Sequence, residues 1–263
     1  MDYSNDHIVY DNGGNPELHA EDTRTIMDLV RNAGKTFGDK TFLRWEIEDT
    51  VYEKSYAEIC VDAEKMAAWA EEWTEEYGHK MHVALLGKCG YEYITVLLGV
   101  TGAGSVAVPM DIQLSVEKLE ANVNKADIDI VFYDRDCGSQ ASYLKEHCKN
   151  VKSFICFQRR RFKTKPNVPV LLETQNKLKP DKTASPEDCA LIIFTSGTTG
   201  DSKGVMLSHA NCIDNIFCND DLGDQYHEVA LSVLPINHVF CLNGDVLTLF
   251  RYGTDRRLAS HHK

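Results

Sequence analysis

The chain has 263 residues, of which 43% are hydrophobic and 26% charged, and its formal net charge is −12. These proportions exclude a wholly disordered or fibrous chain, and the length suffices for one or two domains with a real core. The acidic balance speaks against a general nucleic-acid binder, because each phosphate contact wants a Lys or Arg.

Residues 1–20 read as a polar tail, acidic and without the apolar core of a secretory leader. Ile26, Leu29, Val30 and Ala33 then repeat at helical spacing, with Gly34 placed to end the helix. Thr41, Leu43, Trp45 and Ile47 alternate with Phe42, Arg44 and Glu46, which predicts a strand, and a second strand near 51–54 completes a hairpin. Ser55 and Glu58 form a capping box for the clearest helix, in which Tyr56, Ile59, Ala63, Met66, Ala70, Trp73 and Tyr77 step by three and four up to Gly78. Residues 93–110 carry no charge and sit at the lower length limit for a membrane span. Gly99, Gly102, Gly104 and Pro109 instead favour a buried helix to about 104 followed by a strand over 105–109.

From there the texture is α/β. Strands are predicted at 81–86, 105–109, 128–133, 153–157, 189–194 and 229–234, with helices at 92–103, 116–125 and 140–149. Such alternation calls for a layered α/β fold with largely parallel sheets. Residues 158–188 break the pattern. Arg159, Arg160, Arg161, Lys163 and Lys165 surround Phe162, and prolines follow. The stretch reads as a loop between α/β units, with an anionic-lipid or nucleic-acid patch as the sharper alternative. The rest of the chain is more acidic still and gives that alternative no wider basic face. The nine cysteines are scattered without a C-x-x-C pair, as in the reduced core thiols of a cytoplasmic protein.

The chemistry concentrates after the strand at 189–194. Thr195-Ser196-Gly197-Thr198-Thr199-Gly200-Asp201-Ser202-Lys203-Gly204 combines glycines that let the backbone approach a ligand, hydroxyl donors, and a mobile positive charge on Lys203. Such a loop suits a polyphosphate. It is not a Walker A loop, since Lys203 lies between Ser202 and Gly204. Its composition alone fits an ordinary hairpin turn equally well.

The order of residues in Thr-Ser-Gly-Thr-Thr-Gly-x-x-Lys-Gly-Val resembles the phosphate-binding signature of the adenylate-forming (AMP-binding) enzymes. Leu234-Pro235-Ile236-Asn237-His238 resembles their Leu-Pro-x-x-His segment, and Ser55-Tyr56-Ala57-Glu58-Ile59 their Thr-Tyr-x-Glu-Leu. The resemblance covers roughly 21–254 and is nearest to the long-chain fatty-acid–CoA ligases. It implies the N-terminal large domain of such an enzyme. It implies attack of a carboxylate on the α-phosphorus of MgATP, giving an acyl-adenylate and pyrophosphate, then transfer of the acyl group to coenzyme A. Thr195, Ser196, Gly197, Thr198, Thr199, Gly200, Lys203 and Gly204 would hold the phosphates, and His238 would act where the carboxylate meets the α-phosphate. No residue of this chain is matched to a metal ligand. His238 as a helix-start residue with a satisfied ring is the plainer alternative. For His209 a structural role is expected. The implied partners are a carboxylic acid and coenzyme A, without nucleic acid or a transmembrane span; peripheral membrane contact stays open, as does a carrier protein in place of coenzyme A.

The chain departs from the family in two places. Ser202 stands where the family usually has Pro, which frees φ and restores an N–H. Toward the end, 247–253 read as the end of a helix, and 255–263 as a polar tail that fits no strand pattern. The resemblance therefore implies an incomplete large domain without the small C-terminal domain, inactive by itself. In that case a sheet left short would leave the apolar sides of 229–234 and 242–250 without some of their partners.

Overall fold

Val83 and Leu85 face one core cluster, Ala84 and Leu86 the other, and all four are buried. A strand covered on both faces requires a layer on each side, and the rest of the architecture supplies those layers. The computed structural model describes residues 18–47, 49–158, 168–195, 202–218 and 229–258. Its first elements are α1 (Ile26–Phe37), β1 (Thr41–Ile47), β2 (Thr50–Ser55), α2 (Tyr56–Tyr77), β3 (His82–Leu86), α3 (Tyr91–Gly102), β4 (Val106–Met110), α4 (Val116–Lys125) and β5 (Ile130–Tyr133). Next come α5 (Gly138–His147), β6 (Ser153–Cys156), α6 (Val168–Thr174), β7 (Cys189–Thr195), β8 (Lys203–Ser208) and α7 (His209–Phe217). Last are β9 (Val229–Ser232), a π-helical segment (Cys241–Leu247), α8 (Thr248–Tyr252) and β10 (Asp255–Leu258).

A six-stranded sheet has the order β6-β5-β3-β4-β7-β8 and is parallel except for the β7–β8 pair. A four-stranded sheet has the order β2-β1-β10-β9, parallel except for β1–β2. One core joins α1, α2 and α3 to Phe42 and Leu43 of the smaller sheet and to Val83, Phe132 and Leu191 of the larger. On the far face of the larger sheet, Leu119 and Val123 of α4 and Ala141 and Leu144 of α5 close a second core. This is the predicted layered α/β fold, and the predicted strands and helices lie within one to three residues of those observed.

The uncharged stretch 93–110 is the centre of the molecule. Every residue of α3 from Tyr93 to Gly102 is buried. Among the described residues no helix is long and apolar enough to cross a membrane. Two glycines let α3 approach its neighbours. A Cβ on Gly99 would lie 2.5 Å from Met66 of α2, and one on Gly102 would lie 2.2 Å from Met27 of α1. The capping box of α2 forms as read, and Gly78 ends that helix in the left-handed region at φ 74°. Gly34, by contrast, does not end α1. The helix runs on to Phe37, and Gly38 at φ 49° follows it. Gly34 is small because Cys60 of α2 packs there, 2.9 Å from where its Cβ would stand.

Within 158–188, expected as a loop, residues 168–174 form α6, with Val168 and Leu172 in the core. The basic run at 159–165 lies outside the described residues. The irregular stretch that follows is tied to α2 by Glu71, which is 4% exposed. Its carboxylate accepts from Lys177 Nζ at 2.7 Å and from the Asp181 and Lys182 amides at 2.9 and 2.8 Å. Burial alone would raise the Glu71 pKa, but these donors outweigh it and the carboxyl titrates below its ordinary value. All nine cysteines are free thiols.

The end of the described chain differs most from expectation. Asp255–Leu258, read as part of a non-strand tail, form β10 at the interior of the smaller sheet, parallel to both β1 and β9. Pairing on both edges overrides the polar sequence, at the cost of burying charge. Arg256 is 0% exposed. Its Nη2 donates to Ser232 Oγ at 2.6 Å and lies 3.3 Å from Asp245 Oδ2, while Nε and Nη1 have no partner among the described residues. Ser232 also donates to Asp245. The expected shortage of partners holds for β9, an edge strand with Val229 and Leu231 exposed. It does not hold further on, since Leu242, Val246, Leu247, Leu249 and Phe250 are all buried. Phe250 packs on Phe42, ring centroids 4.2 Å apart. The Tyr56 hydroxyl donates between the Leu249 and Thr254 carbonyls at 2.8 and 2.9 Å.

The Arg256 site makes a two-sided prediction. Asp245→Ala leaves a buried guanidinium uncompensated and should remove about 3–5 kcal/mol of stability in urea denaturation. Arg256→Met combined with Asp245→Asn, which removes both charges and keeps the volume, should change stability by less than about 1 kcal/mol or raise it. Equal losses from both would show that the ion pair does not govern this part of the core.

Candidate functional site

β7 is apolar because it is covered on both faces: Ala190, Leu191, Ile192 and Ile193 are buried. It emerges at Thr195, which is exposed. β8 returns beside it, with Phe194 opposite Gly204 and Thr195 opposite Lys203. The two strands form a hairpin, as the plainer reading had it. Their connection, 196–202, is far longer than the two-residue turns that close most tight hairpins. Thr195, Lys203 and Gly204 are thus brought together at the mouth of that connection. Ser196, Gly197, Thr198, Thr199 and Gly200 lie outside the described residues.

Each of the three described residues has a definable position. The Thr195 hydroxyl donates to the Lys203 carbonyl at 3.5 Å. A Cβ on Gly204 would stand 3.0 Å from Ile192 Cγ2 and 3.5 Å from the Phe194 ring, so glycine keeps the hairpin tight there. Lys203 is exposed and makes no ion pair with a described residue. Its ammonium is available to an anion at the open end of the hairpin.

Two partners of this hairpin were not legible in the sequence. The Ser202 hydroxyl hydrogen-bonds Asn122 Oδ1, and Lys125 Nζ donates to the Ser202 carbonyl at 2.7 Å. Asn122 and Lys125 belong to α4, some eighty residues earlier in the chain. The one available signal was Asn122 itself, a polar residue adjoining Val123 on the apolar face of a predicted helix.

His238 follows β9 and opens the last helical stretch. Its amide donates to the Pro235 carbonyl at 3.2 Å, and its carbonyl accepts from Leu242 N–H at 3.1 Å. Ile236 is buried, and His238 is exposed. The backbone is therefore satisfied by the helix start, while the ring makes no hydrogen bond with a described residue. The turn presents the imidazole outward. No hydrogen bond joins it to Thr195, Lys203 or Gly204, which stand on the other sheet.

His209 takes the structural role expected of it. It is fully buried at the start of α7, and its Nδ1 accepts the Ile26 N–H at 3.2 Å, satisfying an otherwise free amide at the N-terminus of α1. Burial pushes its pKa from the ordinary 6.5 down to about 4, against the opposing attraction of Asp188 and Asp28. The ring stays neutral and keeps its acceptor.

The family profile described as "AMP-binding enzyme" matches residues 30–261, which extends past β10. The long-chain-fatty-acid–CoA ligase 5 of Rattus norvegicus is 31% identical over 156 residues, covering 51% of this chain and 22% of the relative. The medium-chain-fatty-acid–[acyl-carrier-protein] ligase JamA of Moorena producens is 29% identical over 202 residues, covering 74% of this chain and 32% of the relative. Among solved structures, a long-chain-fatty-acid–CoA ligase from Archaeoglobus fulgidus superposes with a TM-score of 0.78 at 19% identity, over 95% of this chain and 50% of that one. That likeness is one of fold. The chain spans a third or less of the length of the two curated relatives.

The buried His209 sets a pH dependence. Unfolded, His209 takes up its proton near pH 6.5; folded, only near pH 4. Stability from the neutral ring is full above 6.5 and is lost as pH falls toward 4, by about 3 kcal/mol at most. His209→Gln, which does not titrate, should flatten the stability–pH curve in that window. An unchanged slope, measured by urea denaturation at stepped pH, would assign the dependence to other groups.

Proposed function

The chain belongs to the AMP-binding enzyme family, and from that premise we propose that it serves the ATP-dependent activation of a carboxylic acid of the fatty-acid class, with coenzyme A as the acyl acceptor. The observation that carries this reading is the register pair of Thr195 and Lys203, which closes a glycine- and hydroxyl-rich connection with an exposed ammonium that makes no ion pair with a described residue. That donor set fits a polyphosphate. The relatives named as fatty-acid ligases support the substrate class.

In this reading ATP supplies the phosphoanhydride that drives acyl transfer. Thr195, Ser196, Gly197, Thr198, Thr199, Gly200 and Gly204 offer hydroxyls and backbone amides to the phosphate oxygens. Lys203 neutralises charge on the departing pyrophosphate, which grows as the bond to the α-phosphorus breaks. His238 holds the incoming carboxylate toward that phosphorus, a contribution of alignment. Among the described residues no three His, Cys, Asp or Glu side chains converge on a point that could hold Mg2+, and no step here passes through the metal. A carrier-protein thiol in place of coenzyme A is the second reading, favoured by the carrier-protein ligase among the relatives. A third is phosphate binding by these 263 residues without turnover.

Titration of the purified chain with MgATP and with pyrophosphate tests the site. Binding should be measurable, and Lys203→Ala should weaken it about tenfold or more through loss of a charged hydrogen bond. His238→Ala should leave it unchanged. Acid-dependent exchange of pyrophosphate into ATP separates turnover from binding alone, and His238→Ala should slow that exchange. Offering coenzyme A and a phosphopantetheinylated carrier protein to the acyl-adenylate separates the two acceptors. Unaltered phosphate affinity in Lys203→Ala, or affinity lost only in step with melting temperature, would refute the role of the loop.

A further inference from the structure

Ser202 is the residue through which the 196–202 connection enters β8, immediately before Lys203. It is held at two points by one helix. Its hydroxyl hydrogen-bonds Asn122, and its carbonyl accepts from Lys125 Nζ at 2.7 Å. Asn122 and Lys125 are three residues apart, which places them on one face of α4. That face is anchored: Leu119 and Val123 are buried in the second core, and Asn122 itself is 3% exposed. A buried amide must be hydrogen-bonded, and here the hydroxyl of a residue eighty positions away provides the partner.

We propose that Asn122 and Lys125 are positioning residues for the phosphate-binding hairpin, clasping Ser202 so that Lys203 is aimed before an anion arrives. The inference rests on the reading of that hairpin as a polyphosphate site. Its physical basis is entropic. A lysine and a run of amides on an untethered connection must be ordered by the ligand, and that ordering is subtracted from affinity. Donors whose backbone is already fixed act without reorganising. The ladder with β7 ends at the Thr195–Lys203 pair, so Ser202 lies one residue beyond it and the clasp from α4 is what holds it. A merely structural role for the same contacts would be to pin the edge strand β8 to the sheet.

The test is affinity for MgATP and for inorganic pyrophosphate, measured beside melting temperature on the purified chain. Asn122→Ala, Ser202→Ala and Lys125→Met should each weaken binding about three- to tenfold, with melting temperature nearly unchanged. The pair Asn122→Ala/Ser202→Ala should be no worse than either single change, because the two groups make one contact. Ser202→Thr, which keeps the hydroxyl, and Lys125→Arg, which keeps the donor, should restore most of the affinity. If the parent chain binds neither probe, the phosphate-site reading fails and the clasp falls with it. If the parent binds and the variants match it, the clasp alone is overturned. Affinity that falls only as far as melting temperature falls, with no rescue by Ser202→Thr, assigns the contacts to strand pinning and overturns the proposal as well.

Discussion

The close contact of α3 with α2, through Gly99 against Met66, is what the remaining structure is built around. A helix buried along its whole described core stretch cannot present polar groups to water. Its threonine hydroxyls therefore turn back on its own backbone, Thr95 to the Tyr91 carbonyl and Thr101 to the Leu97 carbonyl, each at 2.9 Å. With α1 packed on its other side through Gly102 and Met27, the three helices form a layer that both sheets share. The larger sheet lends that layer one face only, which leaves its far face to α4 and α5. The position of α4, and through it the support of Ser202, follows from the way α3 fills the centre.

Three of the buried polar groups inside this frame link elements far apart in sequence. Glu71 ties α2 to 177–182, His209 ties α7 to α1, and Arg256 ties β10 to β9 and the π-helical segment. Glu71 is satisfied by donors that suit its charge, and His209 has its Nδ1 satisfied while its Nε2 has no partner among the described residues. Arg256 carries the larger deficit, with two of its nitrogens unpartnered among the described residues in a fully buried setting. Such a group costs more to bury than one ion pair returns. The smaller sheet is accordingly the less well-compensated half of the molecule, and its edge strand β9 still shows Val229 and Leu231 to solvent.

What the sequence made legible and what it hid divide along a physical line. Period and capping are local, and α2, α4 and β7 were readable to within a residue from apolar spacing, a capping box and a bounded apolar run. Gly34 was misread because a glycine after a periodic stretch looks like a helix stop, whereas here it serves a contact with Cys60 that no local window contains. The Asp255–Leu258 strand was missed for a related reason. Its residues carry no alternation, and only the flanking β1 and β9 make it a strand. At the candidate site, the order of residues in the hairpin and around His238 carried the resemblance; Thr195, Lys203 and His238 are exposed. Asn122 and Lys125 could not be found that way, because hydrogen bonds across eighty residues leave no mark on spacing.

Net charge and local charge pull in opposite directions at this hairpin. At −12 the chain as a whole repels a nucleotide polyphosphate. At physiological ionic strength, however, charges beyond about 8 Å are largely screened. A lysine at contact distance, about 4 Å, is worth roughly 1 kcal/mol in water and about 4 kcal/mol where the surroundings are partly desolvated. In the proposed reading the close contact therefore outweighs the distant field, provided that the cation is already where the phosphate would sit. An edge strand anchored to a buried helix face meets that condition in an acidic protein. It fixes the root of Lys203 against the sheet on one side and α4 on the other, and leaves only the ammonium free to move.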